Sequence, residues 1–281
     1  MLTNISFSGG GVHGIAYCGV IKALEEKDLL SNIKNISGTS AGSIISVMLA
    51  IGYSSDEIQD LISGLNFENI RDITTDNILG FFDTYGVDSG NKLMKIIDII
   101  IKGKTKKENI TFKELFHLTN KKIIITGTNV NKKCTEYFDH ENTPEMPVSL
   151  AVRISMGIPI LFSPVEYNDC LYTDGCVLDN FPIHIFANDN TTLGVTLTHS
   201  KNEDIQSIEN YIFTLINCLT CEFEKLKTID FKKHILEISI PDNISALDFN
   251  INEENKQILL KSGYEQSINY LDKTYFENND D

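Results

Sequence analysis

Apolar residues recur along this chain with two periods, close to 2 and close to 3.6, and their alternation sketches an α/β protein. Ile5 and Phe7 alternate with Asn4 and Ser6 as a short strand. A glycine-rich stretch then opens a helical pattern through Ile15, Cys18, Val20, Ile21 and Leu24, with charge at Lys22, Glu25, Glu26 and Lys27. Ile33 and Ile36 end a second strand, and Ile44, Ile45, Val47, Met48, Leu49 and Ile51 form a buried helix that stops near Gly52. Ser54 or Ser55 caps a short helix through Ile58, Leu61 and Ile62. No period holds from Asn66 to Gly90, which reads as irregular with a local apolar cluster at Ile78, Leu79, Phe81 and Phe82. Asp88 or Ser89 caps a helix from Leu93 to Ile101.

Further on, Lys122 to Thr128 is a buried strand and Cys134 to Phe138 another. Pro144 and Pro147 turn the chain into a helix from Val148 to Met156, followed by an apolar loop from Gly157 to Pro164. Val165 to Tyr172 reads as a hairpin around Asn168-Asp169, ending in Thr173-Asp174-Gly175. Strands at Leu193 to Leu197 and Leu236 to Ile240 bracket a helix from Ile205 to Leu226, and Glu253 to Leu271 closes the chain as an amphipathic helix.

Composition narrows this picture. The chain has 281 residues, 42% of them hydrophobic, enough for one large α/β domain or two small ones. No internal repeat or linker interrupts it. A net charge of −15 disfavours nucleic acid and gives no global attraction to anionic membranes. No apolar run reaches the ~18–20 residues that cross a bilayer. The segment Met1-Leu2-Thr3-Asn4-Ile5 has no basic stretch before an apolar one, so no ordinary signal peptide is expected. The expected location is the cytoplasm or the periphery of a membrane, with signal-free export left open. Cys18, Cys134, Cys170, Cys176, Cys218 and Cys221 have neither disulfide-rich nor zinc spacing, and Cys218-Leu219-Thr220-Cys221 lacks a second ligand pair. Reduced thiols are expected, with no metal and no cofactor.

The chemistry concentrates in three places. Gly38-Thr39-Ser40-Ala41-Gly42 joins a strand to a helix and has the Gly-x-Ser-x-Gly form of a nucleophile elbow, a turn too tight for side chains with the serine hydroxyl at its tip. By itself Ser40 reads equally well as a turn serine capping the next helix. Ser8-Gly9-Gly10-Gly11-Val12-His13-Gly14 joins a strand to a helix N-terminus, where free N–H groups favour negative charge. Gly9, Gly11 and Gly14 also match the dinucleotide fingerprint, which needs an acidic residue at the end of the next strand; Ser37-Gly38-Thr39-Ser40 stands there instead. The other use of such a loop is an oxyanion hole beside a nucleophile.

A serine needs a base. Of His13, His117, His140, His184, His199 and His234, only the last three follow Ser40 in the order an α/β-hydrolase triad requires, and none lies in a special turn. Asp174, where a strand gives way to a glycine turn, can accept the serine proton directly; alone it also reads as an ordinary turn aspartate. The run Lys102-Gly103-Lys104-Thr105-Lys106-Lys107 reads as a solvated helix end, or as a basic membrane-facing corner beside a lid carrying Phe81 and Phe82.

Taken together, Gly9-Gly10-Gly11-x-x-Gly14, Gly38-Thr39-Ser40-Ala41-Gly42 and Asp174-Gly175 resemble the patatin-like phospholipases. Ser155-Met156-Gly157-Ile158-Pro159-Ile160-Leu161-Phe162-Ser163-Pro164, Asp179-Asn180-Phe181-Pro182-Ile183, Leu247-Asp248-Phe249 and Gly263-Tyr264 add to the likeness, which runs through most of the chain. The resemblance implies a three-layer α/β/α sandwich with a mainly parallel central sheet, related to α/β hydrolases. It implies one catalytic domain over residues 1–276 with a short acidic tail over 277–281. Its machinery would be a Ser40–Asp174 dyad without histidine, with an oxyanion hole from Gly9, Gly10, Gly11 and Ala41. Gly14, Gly38, Gly42 and Gly175 would support the motifs. Two positions depart from the family pattern: His13 stands where Arg or Lys is common, and Cys176 where Gly or Ala follows Asp-Gly.

The implied activity is that of a phospholipase A or lysophospholipase, releasing fatty acid through an acyl-enzyme on Ser40 from phospholipid or another fatty-acyl ester. Acyl transfer, triacylglycerol lipolysis and a non-catalytic storage or lipid-binding role use the same fold and stay open. Ile158, Ile160, Leu161 and Phe162 are either acyl-chain lining or ordinary core. Peripheral membrane contact is a further expectation; the oligomeric state is left open.

Overall fold

The computed structural model describes residues 1–199, 205 and 207–276. The acidic tail expected over 277–281 therefore lies outside the described residues. In chain order the elements are β1 (Asn4–Phe7), α1 (Ala16–Glu26), β2 (Asn35–Gly38), α2 (Ala41–Ala50), α3 (Ser55–Gly64), α4 (Thr75–Leu79), α5 (Phe81–Thr84), β3 (Gly86–Asp88), α6 (Asn91–Thr105) and α7 (Phe112–Thr119). There follow β4 (Lys122–Asn129), β5 (Cys134–Phe138), α8 (Val148–Ser155), β6 (Ile160–Phe162), β7 (Val165–Tyr167), β8 (Cys170–Asp174), β9 (Thr192–His199), α9 (Ile208–Thr228), β10 (Ile235–Ile240) and α10 (Glu253–Leu271).

Eight strands form one sheet in the order β10-β9-β1-β2-β4-β8-β7, with β5 also on β4. Its core from β10 to β4 is parallel, and β5, β8 and β7 are antiparallel additions. Directly paired strand positions share a face of the sheet: Ile5, Phe7, Ile36, Ile123, Ile125, Leu193 and Val195 are buried on one face, and Asn4, Ser6, Ser37, Ile124 and Thr192 are buried on the other. Steps from β1 to β2 to β4 run one way across the sheet and the step from β9 to β10 runs the other. Right-handed crossovers therefore put α1 and α2 on one face and α9 on the opposite one. On the first face α10 packs on α1, α3 on α1, and α6 and α8 on α2. The opposite layer is thinner: α9 packs on the short turns Gly175–Val177, Pro182–Ile185 and Ile229–His234, over a separate cluster of Phe181, Ile183 and Phe231. The fold is a three-layer α/β/α sandwich.

The register of β4 explains where the site lies. Ile125 pairs with both Gly38 of β2 and Phe138 of β5, and Gly127 pairs with both Asp174 of β8 and Glu136 of β5. A residue with two partners has them at opposite edges, so β2 and β8 occupy the same edge of β4. The strand β2 climbs to Gly38 and stops, and β8 descends from above and stops at Asp174. The two strand ends meet head to head.

Several elements differ from the pattern reading. The stretch from Asn66 to Gly90 holds a 3-10 turn over Phe67–Ile70, two short helices and β3, which pairs in parallel with β6 inside the apolar loop. The helix α7 was absent from that reading, although Thr111 and Glu114 form a reciprocal capping box at its start. Ser54, not Ser55, caps α3, again with a capping box to Glu57. For α6 the residue at the cap is Gly90, in a left-handed conformation; Asp88 accepts the Gly90 N–H and Ser89 the Asn91 N–H.

Candidate active site

The elbow is built from the end of β2 and the start of α2. Ser40 has φ 50° and ψ −122°, a strained conformation for a residue with a side chain. It is held from both sides. The Ser40 N–H donates to Ser155 Oγ at 2.9 Å, and Ser43 Oγ donates to the Ser40 carbonyl at 2.6 Å. Gly38 and Gly42 are required by contact: a Cβ on Gly38 would lie 2.2 Å from the Gly42 carbonyl oxygen, and one on Gly42 would lie 2.5 Å from that of Phe7. Ser40 makes no side-chain cap to α2, so the capping-serine reading fails. Its hydroxyl points away from the helix and donates to Asp174 Oδ2 at 2.9 Å.

Asp174 is fully buried. Its N–H donates to the Gly157 carbonyl at 2.9 Å, and its carbonyl accepts from Thr128 Oγ1 at 2.8 Å, which fixes the strand end. Oδ1 accepts the Cys176 N–H at 2.9 Å, leaving Oδ2 to face Ser40. Burial pushes the carboxyl up to about 6, against the opposing pull of the Cys176 N–H, Ser40 and the charge of Arg153. Burial first, and then the charge of Asp174, raises the Cys176 thiol well above its ordinary range. Cys176 is thus a small buried residue whose backbone holds the carboxylate.

The glycine loop passes directly over the elbow. Tyr17 OH donates to the Ser8 carbonyl at 2.7 Å and lies 2.9 Å from Ser8 Oγ, anchoring the start of the loop. Gly11, at φ +55°, carries the chain past Ala246, whose carbonyl oxygen would lie 2.2 Å from any Cβ there. The Gly9 N–H donates to the Asn180 carbonyl at 3.0 Å. Gly9 therefore offers no donor to an oxyanion, which corrects the expected set. Among the described residues the N–H groups of Gly10, Gly11 and Ala41 make no hydrogen bond. Gly14 packs on Ala41, so the loop and the elbow share one surface. Gly175 packs on the Thr126 backbone, where a Cβ would lie 2.6 Å from the carbonyl oxygen.

A serine on a strained elbow, a carboxylate in hydrogen-bond contact and open amides beside them are the parts a dyad hydrolase needs. A family model described as patatin-like phospholipase matches residues 5–187, which contain all three.

The chain belongs to the patatin-like phospholipase family.

Relatives include an uncharacterized protein of Acanthamoeba polyphaga mimivirus, 32% identical over 274 residues, 93% of this chain and 91% of that protein. A probable lipid hydrolase of Invertebrate iridescent virus 6 is 36% identical over 181 residues, 63% of this chain and 61% of that protein. Among solved structures, VipD from Legionella pneumophila superimposes with a TM-score of 0.66 at 18% identity, over 97% of this chain and 67% of that one. At that identity the likeness is one of fold, the three-layer patatin-like sandwich.

Within this patatin-like frame an apolar cleft opens at Gly11, Gly14 and Ala41. It runs between α2, α3 and α6, lined by Ile45, Met48, Leu61, Phe67, Ile96 and Ile97 among others, with no charged side chain in its wall. Of the alternative lining, Ile158, Leu161 and Phe162 are buried core residues, and none of the 158–162 stretch reaches this cleft.

His13 is buried with Nε2 2.8 Å from the Ile244 carbonyl, so its ring is turned toward the segment before α10. His184 lies 3.2 Å from Tyr137 OH, and burial lowers its pKa. In the lysine run Lys102 pairs with Glu108, Lys104 with Glu57 and Lys107 with Glu114, while Lys106 Nζ donates to the Gly103 carbonyl. Cys218 and Cys221 are exposed free thiols, and no metal-holding cluster occurs among the described residues. No helix among them is long and apolar enough to cross a membrane.

Three supporting residues carried no assigned role in the sequence, though two sit in the quoted family stretches. Ser155 Oγ holds the Ser40 N–H. Asn180 holds Gly9. Arg153, buried with its guanidinium donating to the Ser89 and Ser163 carbonyls, ties α8 to the ends of β3 and β6. A buried arginine two residues before Ser155 was the available signal.

Proposed function

We propose that the chain hydrolyses fatty-acyl esters of lipids through an acyl-enzyme on Ser40. The observation that carries this reading is the 2.9 Å hydrogen bond from Ser40 Oγ to the buried Asp174 Oδ2 at a strained elbow. Asp174 takes the hydroxyl proton as Ser40 attacks the ester carbonyl. The developing oxyanion is received by the amides of Gly10, Gly11 and Ala41, at the N-terminus of α2, whose dipole also favours negative charge. Asp174 returns the proton to the departing alcohol, and a water deprotonated by the same carboxylate releases the fatty acid. The acyl chain lies in the apolar cleft that begins at Ala41, and the head group stays on the solvent side.

Purified Ser40→Ala and Asp174→Asn variants test this. Each is expected to lose hydrolysis of short-chain esters and of phospholipid by about 10³-fold or more, and Ser40→Ala to lose labelling by a fluorophosphonate. Hydrolysis by both variants at the wild-type rate overturns the assignment.

A further inference from the structure

The outer face of α9 carries an apolar stripe interrupted by one exposed carboxylate, Glu222. Ile208, Tyr211, Leu215, Leu219, Phe223 and Leu226 are each between 48% and 70% exposed. At about 100° per residue they fall within roughly a third of the helix circumference, along some 30 Å of axis. A buried amphipathic helix would turn that stripe inward; here Phe213 and Thr220 face the protein instead. Isolated exposed apolar residues need no explanation, but six on one helical line do.

The inner side of the same helix is wired to the candidate site. Lys227 Nζ pairs with Asp179 Oδ1 at 2.9 Å and donates to the Leu178 carbonyl at 3.3 Å. Asn180 Nδ2 donates to Glu224 Oε2 at 3.4 Å. Asp179 and Asn180 in turn hold the catalytic loops: Thr39 Oγ1 donates to the Asp179 carbonyl at 3.0 Å and the Gly9 N–H to that of Asn180. The inner side of α9 is thus joined to the oxyanion loop through the Asp179-Asn180 turn, with the exposed stripe on the far side of the helix.

We propose that α9 is a docking helix for an uncharged or zwitterionic lipid surface, which holds the protein at the interface that carries its substrate. This rests on the lipid-ester reading above. The charge pattern selects the occupant. The chain carries −15, and Lys225 at the edge of the stripe is paired with Glu222 at 2.6 Å. That arrangement repels an anionic bilayer and opposes the approach of a second copy, while a neutral lipid surface needs only apolar area.

The chain contains no tryptophan, so Leu219→Trp places a single reporter on the stripe. Ile99→Trp, at an exposed apolar position of α6, is the control. With phosphatidylcholine vesicles the Leu219→Trp emission is expected to shift to the blue and the Ile99→Trp emission to stay in place. A Leu215→Glu, Leu219→Glu, Phe223→Glu triple variant is expected to lose vesicle partition and hydrolysis of vesicle lipid by at least tenfold. It should hydrolyse a water-soluble short-chain ester within twofold of wild type, which shows that it is folded. No shift at Leu219→Trp, an equal shift at both reporters, or undiminished binding by the triple variant overturns the proposal. So does a vesicle-indifferent dimer that the triple variant dissociates, which would make the stripe an interface between copies. Soluble-ester hydrolysis with a silent reporter removes the docking helix alone. Absence of all ester hydrolysis and of Ser40 labelling in wild type removes the catalytic reading, whatever the reporter does.

Discussion

Asp174 carries opposed demands on one carboxyl group. Burial raises it from an ordinary 3.8 to about 6, which makes its carboxylate a stronger base toward the Ser40 hydroxyl it accepts from. The cost falls on the fold. Between these two values the folded state binds the proton more tightly than the unfolded chain, so stability falls as pH rises through that window, and above about 6 the full penalty is present. Two units correspond to about 3 kcal/mol at most. Asp174→Asn is therefore expected to be inactive yet to melt several degrees higher than wild type at pH 7.5, with the difference vanishing near pH 4. With Asp174 as the proposed base, active only when ionised, kcat/KM of wild type should rise with pH along a limb centred near 6. A flat profile from pH 5 to 8 would contradict this. The glycines separate in the same way. Gly11 has a positive φ and the Ala246 carbonyl against it, whereas a Cβ on Gly10 meets only the Leu197 side chain, at 2.4 Å from a terminal methyl. Gly11→Ala is expected to lower kcat by about 10²-fold or more, as loss of an oxyanion donor does, and Gly10→Ala to lower it much less. Equal losses would mean that Gly11's conformation is not what orients the amides.

Elements with strong local periods were legible in the sequence, and those defined by distant partners were not. The helices α1, α2, α8 and α10 and strands β4 and β5 follow from their own spacing of apolar residues. The hairpin of β7 and β8 follows from Asn168-Asp169, both at positive φ. By contrast β3 and β6 are three residues each, and what makes them strands is a pairing of Gly86 with Ile160, far apart in sequence. The helix α7 has only eight residues, and its capping box was the one local sign of it. The apolar cleft belongs to the same class, since its wall joins α2, α3 and α6 in space. This is why the apolar residues Ile158, Ile160, Leu161 and Phe162 read equally well from sequence as acyl-chain lining or as ordinary core. Ile96, half-buried in the cleft wall on α6, tests that assembly. Ile96→Trp is expected to leave hydrolysis of acetyl and butyryl esters within threefold of wild type while lowering kcat/KM for long-chain esters at least tenfold. An unchanged chain-length profile would place the acyl chain elsewhere.

Across the whole molecule, the site depends on two strand ends meeting on one edge of β4, and on what keeps the thin layer beneath them in place. The dyad residues were legible because each sits in a glycine motif; the support was not, because it is built from contacts between α9, β5 and the turn after Asp174. Asp179 is its centre. Its carboxylate is nearly fully buried, accepts from Tyr137 OH at 2.6 Å and pairs with Lys227 at 2.9 Å, while His184 Nε2 stands 3.6 Å away. Lys227→Met would leave that carboxylate without its cation. A fully buried pair broken in this way costs about 3–5 kcal/mol, and the roughly one-third exposure of Lys227 reduces the expectation to about 1–3 kcal/mol. Asp179→Asn with Lys227→Met removes both charges and keeps an acceptor for Tyr137, so the double variant is expected to recover most of that stability. Its activity should stay low, because Lys227 no longer ties α9 to the Asp179-Asn180 turn that holds Thr39 and Gly9, with the Asn180–Glu224 hydrogen bond left between them. Denaturant melts of the four proteins, read beside kcat on a soluble ester, separate the two effects. Full recovery of both quantities in the double variant would reduce the pair to a stabilising contact, and recovery of stability alone would make α9 part of the catalytic support.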